Sequence, residues 1–211
     1  MFWRKEPFDR SALLEAADKA RGRGRVRKAI TLYRRLIAGD PGDYQVHARI
    51  APLLARRREW ADARKSFDLA GAGFLKAGFA DKAIALWTTA AQYFPEDVEY
   101  WEHIANEQVR RGRKADAVNV LLGGRARLQA RRQRPTAILL LRQVLALSPI
   151  HFEATIDLAQ LLSREGQKGE ALKLLRDLRL YARGPNVRRL RAAQFWIAPG
   201  SRVALDWLLG R

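Results

Sequence analysis

The sequence predicts an all-α protein built as a solenoid of stacked antiparallel helices. Three observations carry that reading. First, Pro41, Pro95 and Pro149 stand 54 residues apart, and each closes a helical pattern: ITLYRRLIAGDP, IALWTTAAQYFP and ILLLRQVLALSP. Proline cannot continue a helix, so it stops each one. Second, two alanine series keep the same step, Ala29, Ala83 and Ala137 against Ala63, Ala117 and Ala171, and they interlock with gaps of 34 and 20 residues. Third, hydrophobic residues make up 48% of the 211, enough to bury a core. A repeat of this length is one supersecondary unit that cannot bury its apolar face alone and must stack on its neighbours.

Taken in order, Ala16, Ala17, Ala20 and Gly24 lead into the first proline-ended helix, which carries Ala29 and Tyr33. The 20-residue gap is too short for two helices and a loop, so one long helix is expected over 59–78. Its start pairs backward and its end forward. That makes a three-helix unit of 44–57, 59–78 and 80–93. The counterpart long helix is expected over 114–132, and the first helices of the later units over 98–111 and 152–165. Gly71 and Gly73, and Gly123 and Gly124, either kink the long helices or allow close packing. The pattern decays after Tyr181, where Arg183–Asn186 (RGPN) signals a turn. A basic helix over 187–196 and a short one over 202–209 follow. The expected division is an N-terminal segment 1–10, a repeat domain 11–182 and capping helices 183–211. Phe195, Trp196, Ile197, Leu205, Trp207 and Leu208 are read as the cap, or alternatively as a surface that docks on a partner or membrane. Phe2, Trp3 and Phe8 carry the same two readings.

These residues resemble the tetratricopeptide repeat family over residues 11–182. The family's repeat is two antiparallel helices in 34 residues, the longer alanine gap here. Its pattern of Trp-x-x-Leu-Gly-x-x-Tyr, then alanine, an aromatic and proline, is met by Trp101, Ile104, Ala105 and Gly112, then Ala117 and Leu121. The next copy has Leu158, Ala159, Leu162 and Gly166, then Ala171 and Leu175. Ala51, Ala105 and Ala159 are small where a partner helix crosses close, and Ile50, Ile104 and Leu158 fill the space between helices. Gly112 and Gly166 permit a turn that needs positive φ. The resemblance implies a right-handed αα superhelix whose first helices line a concave groove for a peptide or partner helix.

By that resemblance the groove residues are Gln45, Ala48, Pro52 and Arg56; Glu99, Glu102, Asn106 and Arg110; and Glu153, Ile156, Gln160 and Arg164. Arg56, Arg110 and Arg164 recur at equivalent helix ends. They complement the helix dipole, or they form a row of forks for carboxylate or phosphate. Some co-chaperones of the family clamp a C-terminal carboxylate with Lys and Asn one turn apart. The matching pair here is Glu102 and Asn106, an acid for the base, which does not support that clamp. Glu96, Asp97, Glu99, Glu102 and Glu107 make an acidic patch that either receives a basic peptide or serves helix capping and solvation.

Forty basic residues oppose 22 acidic ones, a net charge of +18. Such a field favours nucleic acid, anionic membrane or acidic protein. Arginine outnumbers lysine 31 to 9, which also fits codon bias in a GC-rich bacterial genome. The basic clusters fall at turns: 21–28, 56–58, 110–114, 125–134 and 188–191. Tyr33, Trp87 and Phe67 sit on core-facing periodicity, which weakens base stacking as a binding mode.

Catalytic chemistry is not legible. His47, His103 and His151 are read as lone surface histidines, with no metal-ligand spacing. Leu122-Gly-Gly-Arg lacks the phosphate-loop spacing, and no serine lies in a Gly-x-Ser-x-Gly elbow. There are no cysteines, which excludes disulfides and thiolate metal sites and is compatible with a reducing cytoplasm. The N-terminus has no apolar run of signal-peptide length, and the apolar stretch Ala137–Val144, interrupted by Arg142 and Gln143, is too short to span a bilayer. The expectation is a cytoplasmic, non-catalytic scaffold without cofactor or metal that binds another protein. The alternatives are a nucleic-acid- or ribosome-associated basic protein and a peripheral binder of anionic membrane. Solenoids of this size are often monomers, yet an exposed end cap can pair, and the sequence does not decide between them.

Overall fold

Each proline is followed by a polar residue that starts the next helix. Asp43 accepts the backbone N–H groups of Gln45 and Val46, both at 3.1 Å, and opens α3, Tyr44–Arg56. Asp97 accepts from Glu99 and opens α6, Val98–Arg110. His151 Nδ1 accepts from Ala154 at 3.2 Å and opens α9, Phe152–Arg164. These contacts satisfy donors that a helix start leaves orphaned. The same turns are tied a second time. Trp101 Nε1 donates to the Pro95 carbonyl at 3.1 Å, and His47 Nε2 meets the Pro41 carbonyl at 3.0 Å.

The computed structural model describes residues 9–199. Among them are eleven α-helices. Besides the three above they are α1 Arg10–Gly22, α2 Val26–Gly39, α4 Trp60–Lys76, α5 Ala80–Tyr93, α7 Lys114–Ala126, α8 Arg134–Leu147, α10 Lys168–Arg179 and α11 Pro185–Ile197. No strand occurs among the described residues. The chain divides after Phe94 into two compact units. The N-terminal unit contains α1–α5 and the C-terminal unit α6–α11. Within each, every helix packs on the next across a short turn, the αα-solenoid arrangement. First and third helices also touch, α3 with α5, α6 with α8 and α9 with α11.

The alanines lie where helices cross. Ala51, Ala63, Ala83, Ala117, Ala159 and Ala171 have no exposed surface. Tyr33, Phe67 and Trp87 are buried, as their periodicity predicts. Tyr33 gives its hydroxyl hydrogen to Asp18 at 2.5 Å, and burial, then that bond, pushes its ionisation up. Gly112 and Gly166 adopt φ 73° and 81° in the turns after α6 and α9. At the equivalent place after α3 stands Arg58, at φ 62°.

The two long helices differ. α4 runs unbroken to Lys76, and its glycines serve close packing: a Cβ on Gly71 would lie 2.2 Å from Trp87 Nε1, and one on Gly73 2.2 Å from Tyr44 Cβ. Its counterpart does not reach Arg132. α7 ends at Ala126, because Leu128 turns into the core and Arg125 donates to the Leu128 carbonyl at 3.0 Å. A 3-10 turn at Arg131–Gln133 follows, where the Gln133 side chain accepts from the Ala130 N–H at 2.8 Å. Pro135 then sits in the first turn of α8, where its missing N–H costs nothing. Gly124 packs against Trp101, a Cβ there meeting Cδ2 at 2.7 Å, whereas Gly123 faces open space.

At the C-terminal end α11 packs on α9 and α10. Its stripe of Leu190, Ala193, Gln194 and Ile197 is buried, but Trp196, expected in the cap, is 80% exposed. The expected helix over 202–209, with Leu205, Trp207 and Leu208, and Phe2, Trp3 and Phe8 at the other end, lie outside the described residues.

Two outcomes are expected in urea unfolding. Gly71→Ala and Gly73→Ala each lose about 1–3 kcal/mol to overpacking, whereas Gly123→Ala gains up to about 1 kcal/mol of helix propensity. Arg58→Gly removes the left-handed strain and raises stability by up to about 1 kcal/mol. Equal effects of the three glycine changes would overturn the packing account, and a less stable Arg58→Gly the strain account.

Candidate partner-binding site

α9 supplies the best-formed candidate. It buries Ala154, Leu158, Ala159, Leu161 and Leu162. Gln160 and Arg164, one turn apart, therefore remain on the exposed side. The last turn of α11 lies beside them. Gln160, Ser163 and Arg164 from α9 and Trp196 and Ile197 from α11 line one depression of about 370 Å³. Ile197 is its buried floor and Trp196 its exposed wall. Arg164 makes no ion pair with the described residues. Glu153, at the other end of α9, is held by Arg189, whose second nitrogen donates at 2.6 Å.

The α6 candidates are differently placed. Glu102 accepts a hydrogen bond from Gln143 of α8, so its face is half-covered by the third helix of the unit. Arg110 reaches back to the buried Glu107 at 2.8 Å. Asn106 and Glu99 are exposed. Of the remaining acids expected to form a patch, Glu96 accepts from Gln133 at 2.8 Å and Asp97 caps the helix. Much of that patch is therefore engaged within the fold. In the N-terminal unit, Gln45 and Arg56 are exposed at the two ends of α3, and Ala48 and Pro52 are half-buried.

Not all histidines are surface groups, as the sequence suggested. His103 is exposed and His151 caps α9, but His47 is only 4% exposed, set between the Pro41 carbonyl and Ser66 Oγ at 3.2 Å. Its contacts are structural. Among the described residues no three His, Asp or Glu side chains are grouped to hold a metal, and no helix is long and apolar enough to cross a membrane.

Tetratricopeptide repeat models match residues 14–73, 69–127 and 128–193. The chain belongs to the tetratricopeptide repeat family. No curated protein sequence matches it. Among solved structures it is similar to a tetratricopeptide repeat protein from Parabacteroides merdae, at 14% identity over 93% of this chain and 90% of that one, with a TM-score of 0.34. It is also similar to YrrB, described as a tetratricopeptide repeat protein with an unusual peptide-binding site, at 13% identity, 94% and 91% coverage and a TM-score of 0.32. A third is pilF of Pseudomonas aeruginosa, at 15% identity, 96% and 97% coverage and a TM-score of 0.28. Family membership rests on the sequence models, not on these likenesses. The tetratricopeptide fold is in general a scaffold for protein–protein interaction.

Of the groove positions expected from the sequence, the structure gathers Gln160 and Arg164 at one depression. Of the two readings that the sequence allowed for Trp196, cap or docking surface, its 80% exposure goes against the cap. The signal was present: the stripe through Leu190, Ala193 and Ile197 leaves position 196 off the buried side.

Burial works to raise the Asp43 carboxyl, but the hydrogen bond from Arg10 and those from Val46 and Gln45 outweigh it and hold it below its ordinary value. A lowered folded value contributes stability above the unfolded value, and this is lost as pH falls through the folded one. Asp43→Asn keeps an acceptor for the helix start but loses the charge that Arg10 meets, so it is expected to destabilise the protein at neutral pH, with the gap to wild type closing below the ordinary carboxyl value of 3.8. A gap unchanged between pH 7 and pH 3 in thermal melts would contradict this.

Proposed function

We propose that this tetratricopeptide repeat protein is a non-catalytic scaffold, acting in the cytoplasm, that holds a partner protein against the exposed face of its first-type helices. The observation that carries the reading is the depression of about 370 Å³ between α9 and α11. It sets an exposed tryptophan beside an unpaired arginine and a glutamine. Tryptophan and arginine are over-represented among residues that dominate interface energies, because each offers a large apolar or planar surface with a polar edge. The partner segment that suits it carries an apolar side chain for Trp196 and Ile197 and a carboxylate for Arg164. Gln45 and Arg56 on α3, and Glu99, Asn106 and Arg110 on α6, are further contact positions of the proposal. Glu102 is engaged with Gln143 and takes a supporting part.

The reading is tested by affinity capture with crosslinking, run with and without nuclease. Arg164→Glu and Trp196→Ala are each expected to weaken recovery of the main protein partner at least tenfold, with melting unchanged because both side chains are exposed. Recovery of that partner at wild-type level by the double variant would overturn the site. Loss of every captured protein on nuclease treatment would overturn the protein-scaffold reading itself.

A further inference from the structure

Cations are spread over the whole sequence, but the fold neutralises them unevenly. In cluster 125–134, Arg125 grips Asp157 through two nitrogens at 2.8 Å, Arg134 meets Glu165 at 3.1 Å and Arg132 meets Glu96 at 3.5 Å. In cluster 110–114, Arg110 is paired with Glu107. In cluster 56–58, Arg57 is paired with Glu59 at 3.2 Å, and in cluster 188–191, Arg189 is paired with Glu153. Each of these clusters also keeps cations without an ion pair among the described residues, Arg56, Arg127 and Arg188 among them, but the turn between α1 and α2 gathers such cations around one hollow. Residues 19–28 read KARGRGRVRK, with six cations and no acid. Of the six only Arg21 has an ion pair among the described residues, with Asp18 at 3.3 Å. Lys19, Arg23, Arg25 and Lys28 are exposed, have no ion pair among the described residues, and line one depression of about 250 Å³ together with Ala16 and Ala20.

From this convergence we infer that the α1–α2 turn is a second binding surface, one that takes the phosphate backbone of nucleic acid without reading its sequence. Four cations around one hollow make the potential there positive and so attract any anion, and guanidinium forks match phosphate oxygens. The rest of the lining selects among anions. Among the described residues it offers only alanine, with no aromatic or large aliphatic side chain. A protein partner draws much of its affinity from such apolar anchors, and an inserted membrane helix needs them as well. Backbone phosphates need neither, since their binding is driven by release of condensed counterions. The lack of a stacking ring in the hollow predicts indifference to base sequence. The inference is independent of the protein-binding depression at α9 and α11.

The test is fluorescence anisotropy of a labelled 20-base-pair duplex with the full chain, titrated from about 50 to about 200 mM salt. Four phosphate contacts give a slope of log affinity on log salt of about −3.6, a loss of about 150-fold across that range. Arg23→Gln with Arg25→Gln is expected to reduce the slope by about two. Arg176→Gln with Arg179→Gln, a control pair of exposed cations on α10, leaves it unchanged. The melting temperature of the first variant stays at the wild-type value, because the replaced side chains are exposed and unpaired. A second duplex of scrambled sequence binds equally. No complex at about 50 mM salt, a slope the same in both variants, or a sequence preference above tenfold would overturn the inference. A parallel arm uses phosphatidylserine vesicles and an acidic polyglutamate peptide. Binding to either that is tighter than to duplex at matched salt, and lost in Arg23→Gln with Arg25→Gln, would reassign the hollow to that anion and overturn the nucleic-acid claim.

Discussion

Close crossing of helices at alanine is the contact on which everything else depends. The helices are short, between 12 and 17 residues, and isolated helices of that length are marginal in water. Each persists because an apolar stripe is covered by its neighbours. The stripes meet only if the backbones come near, which is why Ala51, Ala63, Ala83, Ala117, Ala137, Ala159 and Ala171 are all buried. A bulkier side chain at such a crossing would separate the helices and expose Ile50, Leu121 or Leu158 on either side. The glycines at 71, 73 and 124 take the same constraint further, since an indole or phenol ring occupies the space of their missing Cβ. This packing consumes one face of each helix, and a third helix covers part of the other where α8 meets α6 at Glu102.

Much of this was legible in the sequence because small residues and prolines report directly on backbone geometry. The 54-residue step of Pro41, Pro95 and Pro149 shows in the starts of α3, α6 and α9 at Tyr44, Val98 and Phe152. Gly112 and Gly166 announced their positive φ. The features that were not legible depend on tertiary partners far away in sequence. α7 stops at Ala126 because Arg125 is held by Asp157 on α9 and Leu128 finds a core site, and nothing in residues 114–132 alone says so. Glycine pairs that look alike in sequence separate into packed and open positions only once a ring is beside them. His47 is buried because Pro41 and Ser66 offer it partners on opposite sides.

The candidate sites divide along the same line. Positions Gln160 and Arg164 came from the family resemblance, and both lie on the exposed side of α9, opposite its buried stripe. Their neighbour Trp196 was left between two readings, since an aromatic near a repeat end suggests a cap unless the stripe of its own helix is worked out residue by residue. Glu102 shows the converse. Its spacing marks it as outward, yet Gln143 from α8 occupies that side. Sequence periodicity says which way a side chain leaves its helix, but not whether another helix is waiting there.

Charge follows a similar logic of position. Arg34 joins Glu59, just before α4, and Asp62 of α4 at 2.6 and 2.7 Å, and Arg142 joins Glu170 of α10 at 3.0 Å. The pairs Arg34–Asp62 and Arg142–Glu170 occupy equivalent places in the repeat, linking a third helix to the second helix of the unit that follows. Each such exposed pair adds at most about 1 kcal/mol. Their larger effect is to draw the scarce carboxylates into the spaces between helices. The net charge of +18 is thereby left where acids are few, and at the α1–α2 turn only Arg21 has an ion pair among the described residues, with Asp18. The hollow there relies on charge alone, so its attraction fades with salt, whereas the depression at Trp196 relies in part on apolar area that salt does not screen. Two surfaces on one chain that answer differently to ionic strength are separable by that variable, and each can be assigned its own ligand without the other being disturbed.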